Sequence, residues 1–161
     1  MFDPRATADL TYTRTFNAPR ALIFRCMTRP EHLTHFWGPA GTTTPVDAII
    51  VDLRPGGTFE TTMINDADGT RHVSRAEYLE VVEPDRLVWI DRDHGTTTTV
   101  VFVDLDGERS DVHIRQTAAP KAFHTPRARA GFATSLDRLD HYLTTLNPTH
   151  PTTNLRRPPW T

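Results

Sequence analysis

PRARAGFATSLDRLDHYLTTL, residues 126–146, is the stretch on which the reading of this chain turns. Phe132, Leu136, Leu139, Leu143 and Leu146 recur at spacings of four, three, four and three, which is one apolar stripe along a helix of about six turns. Arg127, Arg129, Asp137, Arg138, Asp140, His141 and Thr144 fall largely outside the stripe. Thr125 is placed to cap the start, and Pro126 fits the first helical position, where a missing N–H costs nothing. Asn147-Pro148 ends the pattern. A stripe this long needs a broad apolar surface, and the residues before it read as strands.

Working outward, the chain of 161 residues suits one domain with a core of ordinary size. A formal net charge of -2 gives no basic footprint for nucleic acid. No apolar run approaches the roughly 18 residues of a membrane span, and Met1 to Arg5 lack the pattern of a signal peptide. A cytoplasmic protein is therefore expected. The single Cys26 excludes an intramolecular disulfide and a cysteine zinc cluster. Neither a metal nor a cofactor is expected.

Leu10 to Phe16 alternates and is rich in β-formers, so it reads as a strand. Asn17-Ala18-Pro19 opens a short helix, with Asn17 a candidate cap, and Leu22, Ile23, Cys26 and Met27 form its core-directed face. A second short helix is expected over 30–36, gathering Leu33, Phe36 and Trp37 on one side. His32 and His35 are read as exposed helical histidines, since no carboxylate stands at a matching step for a metal. Strands are expected over 46–53, 58–65, 71–82, 86–92, 96–105 and 110–117. Turns at 66–69, 83–85 and 106–108 join them into an antiparallel meander. Thr96 to Thr99 are read as a strand edge. The expected division is a loose 1–9, one domain over 10–146, and a Pro/Thr-rich tail over 147–161. Trp160 in that tail offers an anchor onto the domain or onto a second copy, so a homodimer stands open.

Three segments carry a resemblance: Phe16-Asn17-Ala18-Pro19, then Pro30-Glu31-His32-Leu33 with Phe36-Trp37-Gly38-Pro39, then Pro55-Gly56-Gly57-Thr58-Phe59. Glu83-Pro84-Asp85-Arg86-Leu87-Val88 and Gly131-Phe132 extend it. The chain resembles the heat-shock chaperone ATPase activator-like family of the START-like, or SRPBCC, superfamily, over roughly residues 10–146. The resemblance implies an α+β helix-grip fold, a curved antiparallel sheet wrapped around the C-terminal helix. It also implies a cavity between the two that accepts an apolar or amphipathic small molecule. Phe132 departs from the family, which often has tryptophan after the glycine.

On that resemblance Phe59, Thr61, Met63 and Trp89 face the cavity, as do Val100, Phe102, Val112 and Ile114. Phe36 and Trp37 close one end, while Phe132 and Leu136 form the roof. Such residues are as readily core as pocket. Tyr78 is a candidate hydrogen-bonding group, although Val73, Leu79 and Val81 compete with it for the inside. Asp91, on the strand face of Trp89, is the candidate acid or base; a strand-end carboxylate reaching water is the preferred reading. Gly131 costs a helix about 1 kcal/mol relative to alanine. Tight helix–sheet packing is its preferred explanation, and close approach of a ligand the alternative. No nucleophile elbow, P-loop, dinucleotide fingerprint or His-Glu-x-x-His occurs. Binding of an apolar or aromatic molecule is preferred, ahead of a cyclase- or hydrolase-type enzyme and a co-chaperone-like interaction module. A ligand would need a space of about 300 Å³ or more beneath Phe132 and Leu136.

Overall fold

In this computed structural model the first strand pairs with the last, which is what turns a meander into a grip. The structure describes residues 9–146; the expectations for residues 1–8 and for 147–161, Trp160 included, concern residues outside that range. β1 (Leu10–Phe16) leads into two short helices, α1 (Arg20–Cys26) and α2 (Pro30–Leu33). Two-residue strands β2 (Thr42–Thr43) and β3 (Ile50–Val51) precede the main run. That run comprises β4 (Thr58–Asn65), β5 (Arg71–Val82), β6 (Arg86–Asp91), β7 (Thr96–Asp104) and β8 (Ser110–Thr117). The chain then enters the long helix α3 (Pro126–Leu146).

The eight strands form one antiparallel sheet in the order β1-β8-β7-β6-β5-β4-β2, with β3 also on β4. This is the helix-grip fold. Its core is the set of inward side chains facing α1 and α3, among them Phe16, Ile23, Phe24, Val100, Phe102, Leu139 and Leu143. Phe24 of α1 meets Phe102 of β7 edge to face at 5.4 Å. Cys26 lies in this core, and burial pushes its thiol up to about 12, so it packs as a small apolar residue.

Local expectations hold where alternation and punctuation agree. The bounds of α3 match the apolar stripe, and Thr125 Oγ1 accepts from Ala128 N at 3.1 Å as its cap. The α1 cap differs: Pro19 occupies the position, and its carbonyl accepts from Leu22 N and Ile23 N. The strand expected over 46–53 is a 3-10 turn at Val46–Ala48 followed by the short β3. Composition misled here, because Val46 and Ile50 are exposed and only Ile49 of that group is buried. Leu146 ends the stripe in sequence yet is 37% exposed, so the buried part of the stripe ends at Leu143. β7 is interior to the sheet and not an edge, with Thr96 and Thr98 buried.

Candidate functional site

Cross-strand register arranges the inner face in rows, since directly paired residues share a side. Phe59, Ala76, Asp91 and Thr96 make one row. Tyr78, Trp89, Thr98, Gln116 and Leu10 make the next. Val81, Leu87, Val100, Ile114 and Tyr12 follow, then Phe102, Val112 and Arg14. Thr61 and Met63 extend β4 on the same side, opposite Ser74 and His72.

Tyr78 faces inward because β5 carries a bulge: the register shifts between Tyr78 and Glu80, leaving Leu79 as the extra residue. Tyr78 and Val81 therefore both point in, while Val73 and Leu79 are exposed. Tyr78 is held by two backbone bonds, its N–H donating to Gly57 O at 2.9 Å and its carbonyl accepting from Gly56 N at 2.7 Å. Gly57 has no alternative there, because a Cβ would lie 1.9 Å from Asp52 O.

The inner face divides into two halves. Val100, Phe102, Val112 and Ile114 are buried in the core cluster with Leu136, Leu139 and Leu143 of α3. These candidates sit where α1 and the C-terminal half of α3 fill the grip. At the other half α3 buries none of its side chains before Leu136, and Trp37, Met63, Trp89, Asp91 and Phe132 are half-buried. Phe59, Thr61 and Tyr78 are buried behind them, as is Phe36 nearer α3.

Four rings form a continuous cluster in this second half. Phe59 stacks on Tyr78 at 5.5 Å and meets Trp89 edge-on at 5.1 Å. Trp37 reaches Phe59 at 5.2 Å and Trp89 at 6.3 Å, and Tyr78 meets Trp89 at 6.4 Å. Such contacts contribute about 0.5–1.5 kcal/mol each beyond area burial. Burial raises the Tyr78 hydroxyl well above the phenol range, so it stays protonated.

The loop after Trp37 closes the side of this half. Arg138 Nη1 donates to the carbonyls of Gly38 and Pro39 at 2.8 and 3.1 Å, and Ala40 N donates to Thr134 Oγ1 at 2.9 Å. Gly131 lies beside this loop, but a Cβ there would meet only Pro39 Cβ, at an ordinary 3.6 Å. Tight packing against a strand thus does not explain Gly131.

Asp91 points inward at the strand end, and its own turn occupies it. Oδ1 accepts from Asp93 N at 3.0 Å and His94 N at 3.4 Å, while Oδ2 pairs with His94 Nδ1 at 2.9 Å. Both oxygens serve the turn before Gly95, which fits the strand-end reading. His35 is exposed, as expected, with its ring stacked on Tyr142 at 4.5 Å, whereas His32 is half-buried and its Nδ1 lies 2.6 Å from Tyr142 Oη.

Sequence reasoning missed Tyr12, Thr98 and Tyr142. Tyr12 alternates with Leu10 and Arg14, a signal that it faces in, and it stacks on Phe132 at 4.1 Å. Two surface depressions stand out, and neither is lined by Phe132 or Leu136. One of about 410 Å³ is on the outer face of the sheet around Thr13, Thr99, His113 and Arg115. The other, about 660 Å³, runs along the outer side of α3 past His35, Ala40, Arg138 and Tyr142. The four rings are in mutual contact, so a ligand seated among them would have to part them.

The comparisons agree with this architecture. A Chromobacterium violaceum protein of solved structure is 26% identical, with a TM-score of 0.76 over 83% of this chain and 95% of its own. A Mycobacterium smegmatis protein is 25% identical, with a TM-score of 0.71 over 90% of this chain and 96% of its own. An AHSA1-like protein from Aeromonas hydrophila shares the fold at 19% identity and a TM-score of 0.71, over 88% of this chain and 96% of its own. No match is found among curated proteins. The family model described as Activator of Hsp90 ATPase homolog 1-like protein matches residues 17–144, and the chain belongs to that family.

Proposed function

We propose that this protein binds an apolar or aromatic small molecule between the sheet and the N-terminal half of α3, as a carrier or sequestering protein. One observation carries the reading: the Trp37–Phe59–Tyr78–Trp89 cluster occupies the half of the grip that the leucines of α3 do not fill. Its two indoles are half-buried, so they are the side chains free to part and admit a ligand. Met63 adds an unbranched, adaptable wall. Pockets built from aromatic walls with few polar groups suit small apolar ligands.

The enzyme reading has less support. Asp91 is engaged by its own turn, and catalysis needs polar groups converging on a reacting atom. Titration of ¹⁵N-labelled protein with the neutral dye N-phenyl-1-naphthylamine tests binding. Dye fluorescence should rise while the Trp37 and Trp89 indole N–H signals and the Gly131 amide shift. Shifts confined to outer-face residues such as Thr99 and His113, or no binding, would sink the proposal.

A further inference from the structure

Two side chains on this inner wall carry fully buried hydroxyls without a partner. Several buried hydroxyls elsewhere are matched to backbone carbonyls. Thr28 Oγ1 donates to Phe24 O at 2.8 Å, Thr44 Oγ1 to Trp37 O at 2.9 Å, and Ser110 Oγ to Ala18 O at 2.8 Å. Thr61 Oγ1 and Tyr78 Oη are buried and have no partner. A buried polar group without a partner costs about 1–3 kcal/mol, so such groups are rare in a finished core. Both lie on the β4–β5 part of the inner face, on either side of Phe59 along the strand direction, and Phe59 stacks on Tyr78.

We infer that Thr61 and Tyr78 are specificity residues for a neutral, flat ligand carrying a hydrogen-bonding oxygen, of phenol or aryl ketone type. The inference rests on the proposed binding site and narrows what that site accepts. The rings of Trp37, Phe59 and Trp89 supply faces and edges for a planar body. Each hydroxyl can donate to a ligand oxygen or accept from a ligand hydroxyl. A plain hydrocarbon leaves both hydroxyls unpaired. A carboxylate ligand is disfavoured too, because none of the four clustered side chains is cationic and the charges nearby are engaged. Arg14 pairs with Asp137 at 2.9 Å, Arg138 is bound to loop carbonyls, and Asp91 is anionic and held by its turn.

Three probes of one size decide the matter: naphthalene, 1-naphthol and 1-naphthoate, titrated into the full chain and followed by ¹⁵N shifts. The expected order is 1-naphthol tightest, naphthalene about tenfold weaker, the order that one neutral hydrogen bond supplies, and 1-naphthoate weakest. Tyr78→Phe and Thr61→Val should each lower affinity for 1-naphthol by more than they lower affinity for naphthalene. Both variants remove an unpaired hydroxyl, so their melting temperatures should hold or rise; should one fail to fold, the other carries the same comparison. Equal binding of naphthalene and 1-naphthol, or an unchanged preference in both variants, overturns this inference and leaves the apolar site standing. Tightest binding of 1-naphthoate overturns it as well. Failure of all three probes to bind overturns the underlying site.

Discussion

Tyr12 of β1 and Phe132 of α3 stack face to face, with ring centroids 4.1 Å apart and an interplanar angle of 18°. This pair joins the edge strand to the half of the helix that has no fully buried side chain before Leu136. Arg129 completes the contact, its guanidinium carbon 5.7 Å from the Tyr12 ring centre.

Phe132→Ala should therefore act differently from a core truncation. Phe132 is half-buried, so its loss should cost about 1–2 kcal/mol, against about 3 kcal/mol for Leu139→Ala in the buried stripe. Urea denaturation measures both. Equal costs would mean that the N-terminal half of α3 is packed as firmly as the rest.

Gly131→Ala should stabilise the free protein by about 1 kcal/mol, the helix propensity difference, because the new methyl meets only Pro39 Cβ at 3.6 Å. The same methyl points at the loop beside the proposed site, so affinity for N-phenyl-1-naphthylamine should fall. A destabilised Gly131→Ala in urea denaturation would show that the helix sits closer to the Pro39 loop than 3.6 Å allows.

Ser110→Ala and Thr61→Val separate a used hydroxyl from an unused one. Ser110 Oγ donates to Ala18 O at 2.8 Å between buried residues, and removing it leaves that carbonyl unpaired, at about 1–3 kcal/mol. Thr61→Val removes a group with no partner and should be neutral or stabilising. Paired thermal melts give the comparison.

The α2–α3 contact should loosen on acidification. Burial lowers the His32 pKa, helped by Arg29, Arg25 and His35 and opposed by Glu31. Tyr142, raised by burial, stays a hydroxyl and donates to the neutral ring. A depressed histidine pKa means that the unfolded chain binds the proton first. The stabilisation is thus full above the ordinary histidine pKa of about 6.5 and lost as pH falls through the lower folded value. Melting temperature should drop between pH 7.5 and pH 5, and His32→Gln should flatten that drop. An unchanged slope in the variant would assign the acid sensitivity elsewhere.

Much of the architecture was legible because it depends on local periodicity. The bounds of β4, β5, β8 and α3 follow from alternation and from turn residues such as Gly69, whose φ is +74°. The segment 46–53 was misread because apolar composition does not report burial, and Val46 and Ile50 face water. Tyr78 was ambiguous for a different reason. Its side of the sheet depends on a one-residue bulge pinned by Gly56 and Gly57. No period-two pattern reveals where an extra residue enters.

The stripe over residues 126–146 by itself determined that a long helix exists and which of its sides is apolar, because helical spacing is a property of neighbours along the chain. Tertiary structure alone decided how that stripe is used. Leu136, Leu139 and Leu143 are buried, Leu146 is exposed, and Phe132 meets Tyr12 from a strand more than a hundred residues earlier. The same holds for the candidate site. Thr61 and Tyr78 look like ordinary strand residues in sequence, and only the packing of β4 and β5 under the indoles leaves their hydroxyls buried without partners. Whether a hydroxyl is satisfied depends on atoms brought near by folding, and that information is absent from spacing along the chain.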